Sequence, residues 1–182
     1  PDWAPEEASA VLSAWLDAVT QVATGLVCIS NSVANELRTW LEQNPRNRPT
    51  LPTIGFFHLG ADLDNSSPTK GLPKNALTTL DLLKKRQTFL SVGTFEPRKG
   101  HWQMLKAFED LWAKHIDVNL VLIGKQGWMM LPYAQQLRKH PEFNKRLIWL
   151  DAISDEYLEK IYSASSCLIA ASEGEGFGLP LI

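Results

Sequence analysis

The feature that most constrains the fold is an alternation in the second half of the chain. The short apolar runs "QTFLSVG", "VNLVLIG", "RLIWL" and "CLIAAS" are separated by longer stretches whose apolar residues recur at helical spacing. A strand exposed on one face reads apolar–polar–apolar; strands this uniformly apolar must be buried on both faces. Helices on either side supply that burial, so the pattern predicts an α/β fold with a parallel, doubly wound sheet. In "HWQMLKAFEDLWAKH" the inward side is expected to hold Trp102, Leu105, Phe108 and Trp112. In "SDEYLEKIYSAS" it is expected to hold Leu158, Ile161 and Tyr162, and a further helix is expected around Leu131 to Lys139.

The first half is less regular. From Pro5 to about Ala23, Val11, Leu12, Trp15, Leu16 and Val19 make a helical face, with Glu6 and Glu7 in the first turn where they suit the helix dipole. "GLVCIS" then reads as a strand, "NSVANELRTWLEQN" as a helix behind Ser/Asn capping candidates, and "LPTIGFF" as another strand. Residues from His58 to about Asn75 are rich in Gly, Pro, Ser, Asn and Asp and mark the best domain boundary. The tryptophans at 15, 40, 102, 112 and 149 are expected in the core, whereas Trp128, directly after Gly127, is expected to line a cleft. His58 and His101 border loops and are expected to be structural.

Composition excludes several classes. A net charge of −2 over 182 residues gives no basic surface for holding nucleic acid, so any anionic ligand must be met locally. Cys28 and Cys167 lack metal-ligand spacing, which fits a reducing cytoplasm. No apolar run approaches the ~18 residues of a membrane span. The start "PDWAPEEA", without a methionine, and the abrupt end at Ile182 point to an internal piece of a longer chain.

In a parallel sheet ligands bind beyond the carboxyl ends of the strands, so the loops after strands are where chemistry is sought. Those loops read "GTFEPRKGH", "GKQGW", "DAISD" and "SEGEGFGLP", and they hold or border Gly93, Gly100, Gly124, Gly127, Gly174, Gly176 and Gly178. Missing Cβ atoms let backbone amides approach a ligand closely. "EPRKG" sets Arg98 and Lys99 at the entrance to a helix, where two cations and the first amides can meet one diphosphate. Its alternative is a solvated turn in which Glu96 pairs with Arg98 or Lys99. "SEGEGFGLP" offers Glu173 and Glu175 as acceptors, with Phe177 among the glycines shaping a pocket. Neither a GxGxxG turn, a P-loop nor an acidic metal cluster is present, so nicotinamide chemistry and P-loop hydrolysis are disfavoured.

The ordered set "VGTFEPRKGH", "LIGKQGW", "DAISDEYLEKIYSAS" and "ASEGEGFGLPLI" resembles the donor half of the retaining group 1 glycosyltransferases, which have the GT-B fold. The resemblance is strong over about residues 88 to 182 and looser over residues 20 to 65. It implies that residues 1–58 are the end of an N-terminal acceptor domain, 59–75 an interdomain linker, and 76–182 an incomplete donor-binding domain. It further implies that Lys99, assisted by Arg98, holds the donor diphosphate. Glu175, with the amides of Phe177, Gly178 and Leu179, would hold the transferred sugar. Gly93, Thr94, Gly124 and Lys125 would flank the nucleotide, and the backbone at Ile153 would receive the base. A second glutamate that binds the ribose would be residue 183, just past the chain. Many members carry arginine after the glycine of the first loop; here Thr94 stands there, leaving the second phosphate charge to Arg98.

The implied reaction is transfer of a sugar from a nucleotide diphosphate sugar to a hydroxyl with retention of configuration, through an oxocarbenium-like ion pair. No cofactor and no metal is required in that scheme. The variant "GTFEPRKGH" with "AFEDLW" looks most like mannosyl- and rhamnosyltransferases of surface-polysaccharide assembly, so GDP-mannose is the first donor expected and another nucleotide sugar the runner-up. The acceptor would be a glycan or lipid-linked glycan, with no nucleic acid involved. The setting would be cytoplasmic, at the inner face of the membrane, with peripheral association through the N-terminal domain; this stretch alone is expected to be inactive. Another GT-B enzyme, such as a sugar-nucleotide epimerase or a phosphorylase, and a non-catalytic nucleotide-sugar-binding module stay open as alternatives.

Overall fold

The computed structural model describes residues 6–45, 47–60 and 67–181. The expected helix start at Pro5, residues 61–66 of the expected linker, and Ile182 lie outside them. The described residues form two compact units. One holds those up to Gly60 together with Glu175–Leu179, and the other holds Ser67 to Gly174 with Pro180 and Leu181.

In the first unit α1 (Glu6–Val22) is followed by β1 (Gly25–Cys28), α2 (Asn31–Gln43) and β2 (Thr53–Phe56). β1 and β2 pair in parallel, Leu26 opposite Ile54. α2 begins at Ser30, whose hydroxyl accepts from the Val33 amide, and it buries Ala34 and Leu41. The expected strands and helices therefore form. The apolar face of α1 does not become core, however: Val11 is 70% and Trp15 58% exposed, and burial is confined to Thr20, with Leu16 and Val19 partly covered. What holds the end of α1 is Arg48, whose Nη1 donates to the carbonyls of Thr20 (2.8 Å) and Ala23 (2.7 Å), supplying donors that the last helical turn lacks.

The second unit runs α3 (Ala76–Lys84), β3 (Gln87–Val92), a 3-10 turn at Pro97–Lys99, α4 (His101–Ala113), β4 (Val118–Ile123), α5 (Leu131–Lys139), β5 (Leu147–Leu150), α6 (Asp155–Ala164) and β6 (Cys167–Leu168). Its strands form one parallel sheet in the order β5-β4-β3-β6. β4 is buried at all six positions and alternates between two cores. Leu120 and Leu122 join Leu105, Phe108, Trp112, Tyr133 and Leu137 of α4 and α5. Val121 and Ile123 join Ala76, Leu83, Tyr157 and Ile161 of α3 and α6. Each buried Val, Leu, Ile or Phe side chain among these contributes about 1.5–3 kcal/mol by leaving water. The apolar runs thus predict an α/β parallel sheet correctly.

Three details differ from the sequence reading. α3 was not expected; it closes the second core beside α6. Trp102 is 43% exposed because His101, Met104, Leu105 and Phe108 take the inner side of α4, leaving its ring to pack edge-on against Tyr133 at 4.8 Å. "CLIAAS" pairs only through Cys167 and Leu168, after which the Ile169 amide donates to Leu90 O and the chain at Ala171 turns against Gly100.

Ahead of α3, Thr69 and Gly71 are strapped to the start of α6. Asp155 Oδ2 accepts from the Thr69 amide (2.8 Å) and hydroxyl (2.7 Å), Glu156 Oε2 accepts from the Gly71 amide (2.9 Å), and the Ser154 hydroxyl donates to Gly71 O (2.5 Å).

Candidate functional site: the carboxyl edge of the four-stranded sheet

Strand order decides where a ligand can sit. From β3 the chain steps to β4 and then β5 in one direction; α6 then carries it back across the sheet to β6 on the far side of β3. The strand order therefore reverses between β3 and β6, and the gap there is the topological switch point at which doubly wound sheets bind ligands. The loop bearing Arg98 and Lys99 lies on one side of this gap and the stretch leading to Gly174 on the other.

The first loop is shaped by two close approaches. Gly93 continues the ladder by donating its N–H to Ile123 O (2.8 Å), and Gly124, at φ 153°, lies so near that any Cβ on it would overlap the Gly93 carbonyl. Gly100, at φ 69°, turns the chain from the Pro97–Lys99 turn into α4, and a Cβ there would overlap the carbonyl of Ala171. Both positions need glycine for conformation and for space. Pro97 fits the first position of the 3-10 turn, where no N–H is required.

Lys99 is half-buried and folds back over the end of β3. A side chain on Gly93 would begin 3.6 Å from its Cε and 3.7 Å from its Nζ. The ammonium therefore lies within van der Waals reach of the bare backbone at the end of β3. Arg98 is organised differently. Its Nε donates to Glu96 Oε2 (2.9 Å) and its Nη1 to Gly174 O (2.9 Å), while its own carbonyl accepts from the Glu173 amide (2.8 Å). The ion pair anticipated as the alternative for this stretch is therefore formed, and it involves Arg98. Both side chains are partly exposed, so the pair contributes on the order of 1 kcal/mol or less. The loop after β6 is tied to the loop after β3 by the bonds of Arg98 Nη1 to Gly174 O and of the Glu173 amide to Arg98 O.

Of the expected site residues, Gly93, Thr94, Arg98, Lys99, Gly124, Lys125 and Ile153 all fall on loops leaving this one edge. Thr94 and Lys125 are exposed; Ile153 is half-buried, one residue before the Ser154 cap of α6. Glu175, Phe177, Gly178 and Leu179 group with the first unit. There the Ser30 hydroxyl donates to Gly176 O (2.6 Å), and the Phe177 ring lies 5.8 Å from His58. Gly178 is buried at φ 86°, whereas Glu175 and Leu179 are exposed.

Sequence reasoning missed Phe95. It is fully buried, donates its N–H to Lys125 O (2.8 Å), accepts from the Gly127 amide (2.9 Å) and stacks on Trp149 at 4.9 Å. A large apolar residue inside "GTFEP" was the available signal, since loops exposed throughout have no use for one.

Residues 78–182, which contain this sheet and its loops, match the family described as "Glycosyl transferases group 1". The chain belongs to that family. Among its relatives, a "Serotype-specific mannosyltransferase WbdA" of Escherichia coli is 47% identical over 184 aligned residues, covering 100% of this chain and 23% of the relative. A second WbdA of the same species is likewise 47% identical, with 22% of its length covered. An "O-antigen chain mannosyltransferase B" of Escherichia coli is 30% identical over 117 residues, 61% of this chain and 30% of the relative. This group 1 glycosyl transferase chain therefore spans about a quarter of the length of the WbdA proteins it matches. No helix among its described residues is long and apolar enough to cross a membrane.

Proposed function

We propose that the chain carries the donor-binding part of a mannosyltransferase. In this reading it transfers mannose from a nucleotide diphosphate sugar, GDP-mannose first among donors, to a hydroxyl of a glycan or lipid-linked glycan with retention of configuration. The observation that carries the reading is the seat of Lys99 over Gly93 at the switch point of the sheet. The names of the mannosyltransferase relatives support mannose as the sugar. Residues 1–58 would belong to the acceptor domain, 59–75 to the linker and 76–182 to the donor domain. The reaction would be cytoplasmic, at the inner membrane face, with peripheral attachment through the N-terminal domain.

When the glycosidic bond breaks, negative charge builds on the leaving diphosphate. An ammonium already fixed there stabilises the transition state more than the bound donor, because the charge it faces is still growing. Lys99 takes that role. Arg98, paired with Glu96, adds positive potential and holds the neighbouring loop. Gly93, Thr94, Gly124 and Lys125 border the nucleotide, and the backbone at Ile153 meets the base. Glu175, with the amides of Phe177, Gly178 and Leu179, holds the sugar. The acceptor's proton passes to the departing phosphate, and the scheme uses no cofactor and no metal ion.

The test is Lys99→Ala in the complete protein, assayed with saturating GDP-mannose. Turnover should fall about a hundredfold, on the order of 3 kcal/mol, with donor affinity changing less. Unchanged turnover would move the donor site elsewhere.

A further inference from the structure

His101 follows the Lys99–Gly100 pair directly and is only 2% exposed. Its surroundings are more specific than those of a core histidine that merely fills space. The imidazole lies beside the backbone carbonyl of Glu96, the residue at the opposite end of the Pro97–Lys99 turn, whose oxygen favours the protonated ring. Its Nδ1 has no hydrogen-bond partner among the described residues. The ring lies 4.4 Å from Phe95, and the His101 carbonyl accepts from the Tyr133 hydroxyl (3.0 Å). Phe95 in turn stacks on Trp149, whose Nε1 donates to Gly124 O (2.9 Å). A continuous set of contacts thus runs from the Lys99 turn through His101, Phe95 and Trp149 to Gly124 on the second loop.

A turn of three residues has few internal bonds with which to fix its own height. Here one side chain spans it from end to end. We propose that His101 is a positioning residue, which braces the Glu96–Gly100 turn against the Phe95–Trp149 stack and thereby sets where the Lys99 ammonium meets the donor diphosphate. The proposal rests on the reading of the Lys99 site given above. Burial, opposed by the Glu96 carbonyl and reinforced by the nearby Lys99 charge, holds the imidazole pKa down at about 4. The brace is consequently uncharged at neutral pH and does not repel the cation it places.

Because a positioning residue acts through Lys99, its effect must disappear when Lys99 is gone. In the complete protein, His101→Phe keeps an aromatic ring against Phe95 but has no polar atom to set against the Glu96 carbonyl. Turnover should fall about tenfold or more while donor KM shifts by less than about threefold, the split expected when only transition-state contacts are weakened. His101→Gln, which retains an N–H donor, should recover most of that loss. The double variant Lys99→Ala/His101→Phe should be within about twofold of Lys99→Ala alone, since residues acting as one unit are not additive. If His101→Phe does not accumulate as folded protein, His101→Leu, which has no polar atom to set against the Glu96 carbonyl, carries the same expectation. Turnover within twofold of the parent for His101→Phe, losses that multiply in the double variant, or no recovery with Gln would overturn the role of His101 and leave the Lys99 site standing. An unchanged Lys99→Ala enzyme would overturn the donor-site reading and this inference with it.

Discussion

The two parallel sheets are made of strands of similar apolar character and meet very different fates. In the four-stranded sheet, α4 and α5 cover one face and α3 and α6 the other, so β4 has no exposed residue. In the two-stranded sheet Val27 remains 69% exposed, although β1 and β2 pair in full register and α2 packs on them. Strand pairing follows from local apolar, β-branched sequence; burial follows from how many layers the neighbouring elements supply. The glycines record the same contrast. Gly124 is hemmed in by backbone, whereas a Cβ on Gly55 in β2 would meet nothing within 4 Å.

The largest expected effect comes from replacing the constrained glycine. Gly124→Ala puts a Cβ into the Gly93 carbonyl and asks alanine to adopt φ 153°, so the loops after β3 and β4 must separate. A cost of about 3 kcal/mol or more is expected, since strain and backbone overlap add. Hydrogen exchange of the β4 amides in the complete protein should accelerate at least a hundredfold. Unchanged protection would mean that the two loops are not held together.

A second expectation uses acid to probe the same sheet. The buried His101, facing Lys99 on the turn and Tyr133 on α5, has a folded-state pKa of about 4, below the roughly 6.5 of an unfolded histidine. Between those values the unfolded chain binds more protons, so stability is full above about pH 6.5 and declines as pH falls toward 4. The decline amounts to at most about 3 kcal/mol. Asp155, held low by the Thr69 hydroxyl and amide, and Glu142, held low by Arg146, act in a different window. Their stabilisation is present above the unfolded carboxylate range and fades only as pH drops through their lowered values. Urea midpoints at pH 7 and pH 5 should therefore differ in the parent protein and converge in His101→Phe. An equal pH dependence in both would remove His101 as the cause.

How much of this could be read in advance depended on range. β3, β4, β5, α4 and α6 were legible because each carries its own periodicity, and "EPRKG" was legible as a turn because Pro97 and Gly100 have local conformational meanings. The order β5-β4-β3-β6 was not, because the return of β6 beside β3 depends on α6 packing next to α3, two elements some 70 residues apart. The role of Phe95 was hidden for a related reason. Its partners, Trp149 and His101, are assembled by the sheet, and nothing within "GTFEP" names them. Arg98 shows the limit from the other side: its residue type suits an anion, but its two carbonyl contacts and Glu96 make it equally a clasp between loops.

The smallest expected effect closes the comparison at Gly55. Its φ lies outside the left-handed region, it pairs with Val27 in an ordinary parallel ladder, and no atom stands where a Cβ would go. Alanine there loses less conformational freedom on folding than glycine, so Gly55→Ala should stabilise the first unit by about 0.5 kcal/mol, where Gly124→Ala costs several times that in the second. Hydrogen exchange of the β1 and β2 amides would report it, with slightly slower exchange in the variant. A loss of protection instead would show that the surface above Gly55 is occupied in the complete protein. The contrast between the two sheets would then be one of partners supplied from elsewhere, since the strand sequences themselves are alike.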